Sequence, residues 1–213
     1  ELALVVGEKT WTDNDITFTR DILHFGGTLQ TNLDLGGYGL ALDLFYLSGD
    51  AAADDDTDTG FVADPNFQQG LLLHRHVITA QTAHGAGPSP DGGGATFGQM
   101  TNTIGLFPRA WWRLADGFEV YGGLLVAFAE QALTAPDSLA NSQGPTNYLG
   151  GPPSAFLGAE LDFGLRYRAL IHGAEASLAI ETGILFPGPA FDDANGRSMF
   201  TLYGGRLLLG VRL

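Results

Sequence analysis

The chain has 213 residues, 31 of them glycine, with no cysteine and a formal charge of -14. That charge and the scatter of its few Lys and Arg exclude a phosphate-tracking nucleic-acid surface. The missing cysteine excludes disulfides and thiolate metal sites, and no apolar run is long enough for a membrane-spanning helix. Lys9 is the only lysine, so the Lys-rich surface usual in a soluble domain is missing. No stretch reads as an inter-domain linker, so residues 1–213 are expected to form one domain. The chain opens at Glu1 with neither Met nor a signal peptide, which fits a processed mature terminus or a cut.

In chain order, residues 1–11 read as a strand whose apolar face is ambiguous, because Glu8 and Trp11 pull its register in opposite directions. From Phe25 the sequence falls into two-residue alternation. Phe25, Leu29, Leu33 and Leu35 share one face, and Thr28, Gln30, Asn32 and Asp34 the other. Gly36 and Gly37 make a tight turn, and Tyr38, Leu40, Leu42, Leu44 and Tyr46 return on one face against Asp43 and Phe45. A long connection over 48–103 follows. Within it, alternating carboxylates Asp54, Asp56 and Asp58 are a weak candidate for a hard cation, because Thr59 and Pro65 stand where a calcium loop needs Gly and Glu. Residues 70–83 read as a short helix or strand. If a strand, His74 and His76 point to one side, a conceivable metal pair without a third ligand. Strands are then expected at 104–114, 118–128, 157–167, 174–186 and 199–213. Short turns at 36–37, 115–117 and 168–173 alternate with long segments at 48–103, 129–156 and 187–198.

Across the seven strands from Phe25 onward charge is sorted by parity. One face carries no Asp, Glu, Lys or Arg; the other carries Asp34, Asp43, Arg109, Arg113, Glu119, Glu160, Asp162, Arg166, Glu175, Glu181, Arg206 and Arg212. The uncharged face places Tyr38, Trp112, Phe118 and Tyr167 beside the short turns and Phe25, Tyr46, Phe128 and Phe186 beside the long loops, two aromatic girdles around an aliphatic band. A strand of about 11 residues tilted by about 40° spans nearly 28 Å, close to an outer-membrane apolar band of about 25 Å. The expected fold is therefore all-β: a transmembrane, antiparallel, up-and-down barrel of about eight strands, with short periplasmic turns and long extracellular loops. It would sit in the bacterial outer membrane, with the lipid bilayer as its first partner and envelope proteins as further ones. A soluble lipocalin-like barrel, which hides its apolar face inside, is the alternative.

The charged residues are expected to line the lumen. There they serve either as a conduit for anionic solutes or as a plug, since an interior of eight strands is barely wide enough for side chains, and five arginines nearly balance seven carboxylates. No Ser–His arrangement suited to nucleophilic catalysis is visible, so neither enzymatic activity nor a cofactor is expected.

Several stretches resemble the alginate-export and related porin-like outer-membrane barrels: LDLFYLSGDAAADDD at 42–56, DPNFQQGLLLHR at 64–75, LFPRAWWRLADGFEVYGG at 106–123 and ILFPGPAF at 184–191. The resemblance covers roughly residues 38–213. It implies passive export or diffusion of solutes past inward arginines, here Arg109, Arg113, Arg166 and Arg206. Barrels of that kind are about twice as long, so this chain would be their C-terminal half. The chain also ends in Val211, Arg212 and Leu213, where barrel-insertion signals usually end in an aromatic residue.

Overall fold

A computed structural model describes residues 1–13, 15–50, 56–85, 99–135, 138 and 144–212. The chain is all-β, an antiparallel up-and-down sheet of strands β1 (Leu2–Asp13), β2 (Ile16–Asp34), β3 (Tyr38–Leu47), β5 (Thr103–Ala115), β6 (Phe118–Phe128), β7 (Phe156–Ile171), β8 (Ala174–Pro187) and β9 (Leu202–Arg212). A two-residue strand β4 (Thr57–Asp58) lies parallel to β2 at Asp21 and Ile22. Each long strand pairs with its neighbour in sequence, so the sheet is a chain of hairpins. Among the described residues β1 and β9 are its two edges, and no pairing between them closes the sheet.

The short connections fall where turn chemistry dictates. Gly36 adopts φ +86°, accessible to glycine without steric cost, and Leu35 N–H donates to Tyr38 O at 2.9 Å. The alternation of the sequence then appears as burial. Along β3, Ala41, Asp43, Phe45 and Leu47 are buried, whereas Tyr38, Leu40 and Leu44 are exposed. Along β3 the charged face is thus the covered one, whereas Asp34, Arg109, Arg113, Glu175 and Arg206 on other strands are exposed, and the uncharged face is open across the sheet. Leu29, Leu40, Trp112 and Phe163 all stand more than half exposed on it. The two aromatic levels form as the parity implies: Tyr38 is opposite Trp112 and Phe118 opposite Tyr167 at one end, while Phe25 and Tyr46 rings lie 5.6 Å apart at the other.

Two strands depart from expectation. β2 begins at Ile16, not Phe25. Arg20, Asp21 and His24 break its alternation, and pairing with β1, from Leu2 opposite Gly27 to Asp13 opposite Ile16, holds it extended. This β1–β2 hairpin continues past the Phe25–Tyr46 level, and Glu8 stands opposite Asp21 in that continuation, which removes the ambiguity of its register. β7 runs on to Ile171, longer by hairpin pairing with β8. The segment of His74 and His76 takes the helical of its two expected forms. It is a wide helical turn (Leu73–Ile78) that continues into helix α1 (Thr79–Gly85), so the two histidines do not share a side: His74 is buried and His76 exposed.

The segment before this turn folds against the inner face of the sheet. Leu71, Leu72, Leu73, Val77, Ile78 and Met100 form one buried cluster with Phe45, Leu47, Leu125, Ala127 and Leu185 of the strands. The inner face is therefore itself divided, apolar toward the long loops where the segment packs and charged toward the short turns.

Candidate functional site

The charged half of the inner face surrounds a cavity of about 500 Å³. Its walls come from β5 to β9 with Asn32 of β2 and Ala41 of β3, and Gly70 and Leu71 of the inward segment form part of the boundary. Inward glycines leave room for inward aromatics. A Cβ on Gly105 would collide with the Phe45 ring, and one on Gly164 with the Tyr121 ring.

The structure brings most of the sequence-identified residues into ion pairs that step from strand to strand. Arg109 holds Asp43 at 2.5 Å, with the Asp43 side chain 2% exposed and that of Arg109 41%. Arg113 pairs with Asp34 at 2.9 Å and approaches Glu119 at 3.8 Å, and Arg166 reaches Glu119 at 3.5 Å. Glu181 accepts from Arg206, and also from the Tyr121 hydroxyl at 2.5 Å. Arg109 lies over the Phe107 ring at 5.3 Å and Arg166 over the Tyr121 ring at 5.0 Å, so cation–π contacts fix guanidinium planes that ion pairing alone would leave mobile. Glu175 and Arg212 are opposite each other in register at the short-turn end but form no ion pair among the described residues.

Glu160 and Asp162 behave differently. Glu160 is fully buried and accepts from backbone amides of the inward segment, with Leu71 and Leu72 N–H donating to Oε1, the latter at 2.6 Å, and Leu73 N–H to Oε2 at 2.8 Å; the Asp162 carboxyl is its side-chain partner. Asp162 lines the cavity beside Gly183, with one oxygen buried and without a hydrogen-bond partner.

Arg168 was missed by the sequence reading because the strand was taken to end at Tyr167. The longer β7 places it on the cavity wall, without an ion pair among the described residues. Arg109, Arg113, Arg166, Arg168 and Arg206 thus line the cavity with Glu119, Asp162 and Glu181, while Asp43 and Asp34 pair with Arg109 and Arg113, five cations to five carboxylates. The inward loop was also missed. Its signal was present in the apolar run Leu71–Leu72–Leu73 inside a polar connection and in apolar residues at inward positions, such as Leu125 and Leu185.

The carboxylate series in the long loop does not assemble a metal site. Asp58 stands 3.0 Å from His24 Nε2 and accepts from Gly60 N–H, and Asp56 offers its backbone oxygen to Asp21 N–H. Asp54 lies outside the described residues. No group of three metal-ligating side chains occurs among the described residues. His74 Nε2 likewise has no hydrogen-bond partner, and burial pushes the imidazole down to about 4.

No protein-family model matches the chain, and no curated protein matches it.

Proposed function

We propose that this chain is the wall of a bacterial outer-membrane β-barrel whose lumen is narrowed by the inward segment, with a structural or interaction role or limited passage of small solutes. The observation that carries the proposal is the uncharged, exposed face of the sheet. Soluble monomers rarely expose contiguous apolar patches beyond a few hundred Å², whereas lipid requires such a surface, bounded by aromatic residues. The lipocalin-like alternative needs the reverse arrangement, with the apolar face covered. The opposite face suits a wet lumen, because ionisable groups in a membrane protein are tolerated when they meet water or a partner.

The test is refolding into lipid vesicles, followed by comparison of boiled and unboiled samples on a gel and by planar-bilayer recording. We expect a heat-dependent mobility shift and small, infrequent current steps. A protein that stays in the aqueous phase without detergent overturns the barrel. Steady nanosiemens-scale openings overturn the narrowed lumen, and silence leaves only the interaction role.

The two free sheet edges favour a second reading. β1 covers β2 only as far as Gly27, so among the described residues Thr28 to Asp34 have no strand on that side beyond the contacts of Glu1 with Thr28, and β9 has none beyond β8. This sheet is then one part of a larger porin-like barrel of the alginate-export type, with further strands between β9 and β2. Arg168, on the cavity wall without an ion pair among the described residues, supports passage of anionic solutes in that setting.

A further inference from the structure

We propose that Gly70–Ile78 is a releasable gate and that Glu160 is its latch: the carboxylate holds the segment in the lumen through three backbone amides, and loss of its charge frees the segment. The proposal rests on the narrowed-lumen reading.

Three features make this contact a latch. First, the amides of Leu71, Leu72 and Leu73 donate to the Glu160 carboxylate, the neighbouring Asp162 carboxyl is its side-chain partner, and no cation pairs with it among the described residues. Hydrogen bonds to an ionised acceptor are roughly twice as strong as neutral ones. A neutral amide in its place offers one acceptor oxygen and turns an NH₂ donor toward backbone donors. Second, both positions of the segment leave the carboxylate satisfied. Gly70 and Leu71 border the cavity and Asp162, two residues along β7 from Glu160, lines it, so movement of the segment opens Glu160 to that polar space, where it is solvated. Two satisfied states of one charge are what a reversible contact needs, whereas an apolar plug has only one.

Third, the seat of the segment is shaped for close approach and for movement about one point. Leu72 rests on Gly183 and Gly204 of neighbouring strands, where added side chains would occupy its place. Gly70 holds φ +76° at the entry, a left-handed conformation that glycine adopts freely, and a Cβ there would stand 2.7 Å from Leu125. The segment therefore turns into the lumen at a glycine and is held one residue later by Glu160.

The absence of native cysteine allows a direct test. Leu72 is 7% exposed, so a thiol introduced by L72C is shielded while the segment is seated. Labelling of folded L72C by a bulky, water-soluble maleimide should be about tenfold faster or more when E160Q is added, in keeping with the loss of a charge-assisted hydrogen bond. Equal labelling rates with Glu160 and with E160Q overturn the latch. The pair L72C/G183C provides the second measurement, because the Leu72 side chain lies 3.2 Å from a Cβ built on Gly183. Mild oxidation should form this disulfide with Glu160 present, and failure to form it overturns the seated position. Should E160Q alone not fold, the oxidised L72C/G183C/E160Q chain is folded with the tether in place, then reduced and labelled for the same comparison. Planar-bilayer recording separates the two readings. Faster labelling together with more frequent openings supports both; faster labelling without current keeps the latch and overturns solute passage.

Discussion

At the residue scale, Asp43 shows how the inner face holds a buried charge beside a partner from the next strand. Asp43 is almost completely buried and depends on the more exposed Arg109. Arg109→Ala strands that carboxylate, and we expect a loss of about 1–3 kcal/mol of stability in denaturant titration of the folded protein. Adding Asp43→Asn should recover part of it, because the uncompensated charge is then gone. His74 gives the second residue-scale expectation. Its pKa is about 4 in the fold, against about 6.5 when solvated. The seated, neutral form is therefore at full advantage above about pH 6.5. It loses stability as the pH falls from there toward 4, because the released or unfolded chain binds the proton first. The slope in that window is up to about 1.4 kcal/mol per pH unit. Stability measured against pH should show this component in the parent and lack it in His74→Leu; identical profiles overturn the assignment.

At the element scale, each strand is an amphipathic ribbon whose outward side chains meet one another across register pairs. Leu161 is opposite Leu124 on one side and Ile184 on the other, in the middle of the uncharged face. If that face meets hydrocarbon, Leu161→Arg costs about 2–4 kcal/mol in vesicle-folded protein. A variant as stable as the parent means that the face meets water. The β1–β2 hairpin shows where the pattern stops. Beyond Leu23 the outward positions carry Asp21 and Glu8, so the uncharged band ends where the Phe25–Tyr46 level marks it. The alternation of β2 was legible from Phe25 onward. Its outer half was not, because residues 16–24 have no period of their own and are extended only through their partner strand.

At the scale of the whole molecule, the open question of the fold is what faces the two edges. In a free edge strand every second amide points away from its single neighbour, so in the isolated chain alternate β9 amides should exchange with solvent rapidly while the rest are protected by β8. Uniform protection along β9 means that another strand covers it, from this chain or from another.

The sequence by itself determined the strands, the hairpin order and the separation of an uncharged face from a charged one. These are properties of period two: a charge one position out of phase changes face, and the pattern is read within ten residues. It also placed the charged residues on a common inner surface. Only the tertiary structure decided which of them are paired and which hold something else. Arg109 meets Asp43 through a cross-strand approach 66 residues away in sequence, and Glu160 meets Leu71 across 89. Parity assigns both acids to the inner face without distinguishing an arginine partner from three loop amides. That distinction depends on how a long connection, lacking any periodic signal of its own, folds back to bury Leu71, Leu72 and Leu73 against the apolar half of the inner face.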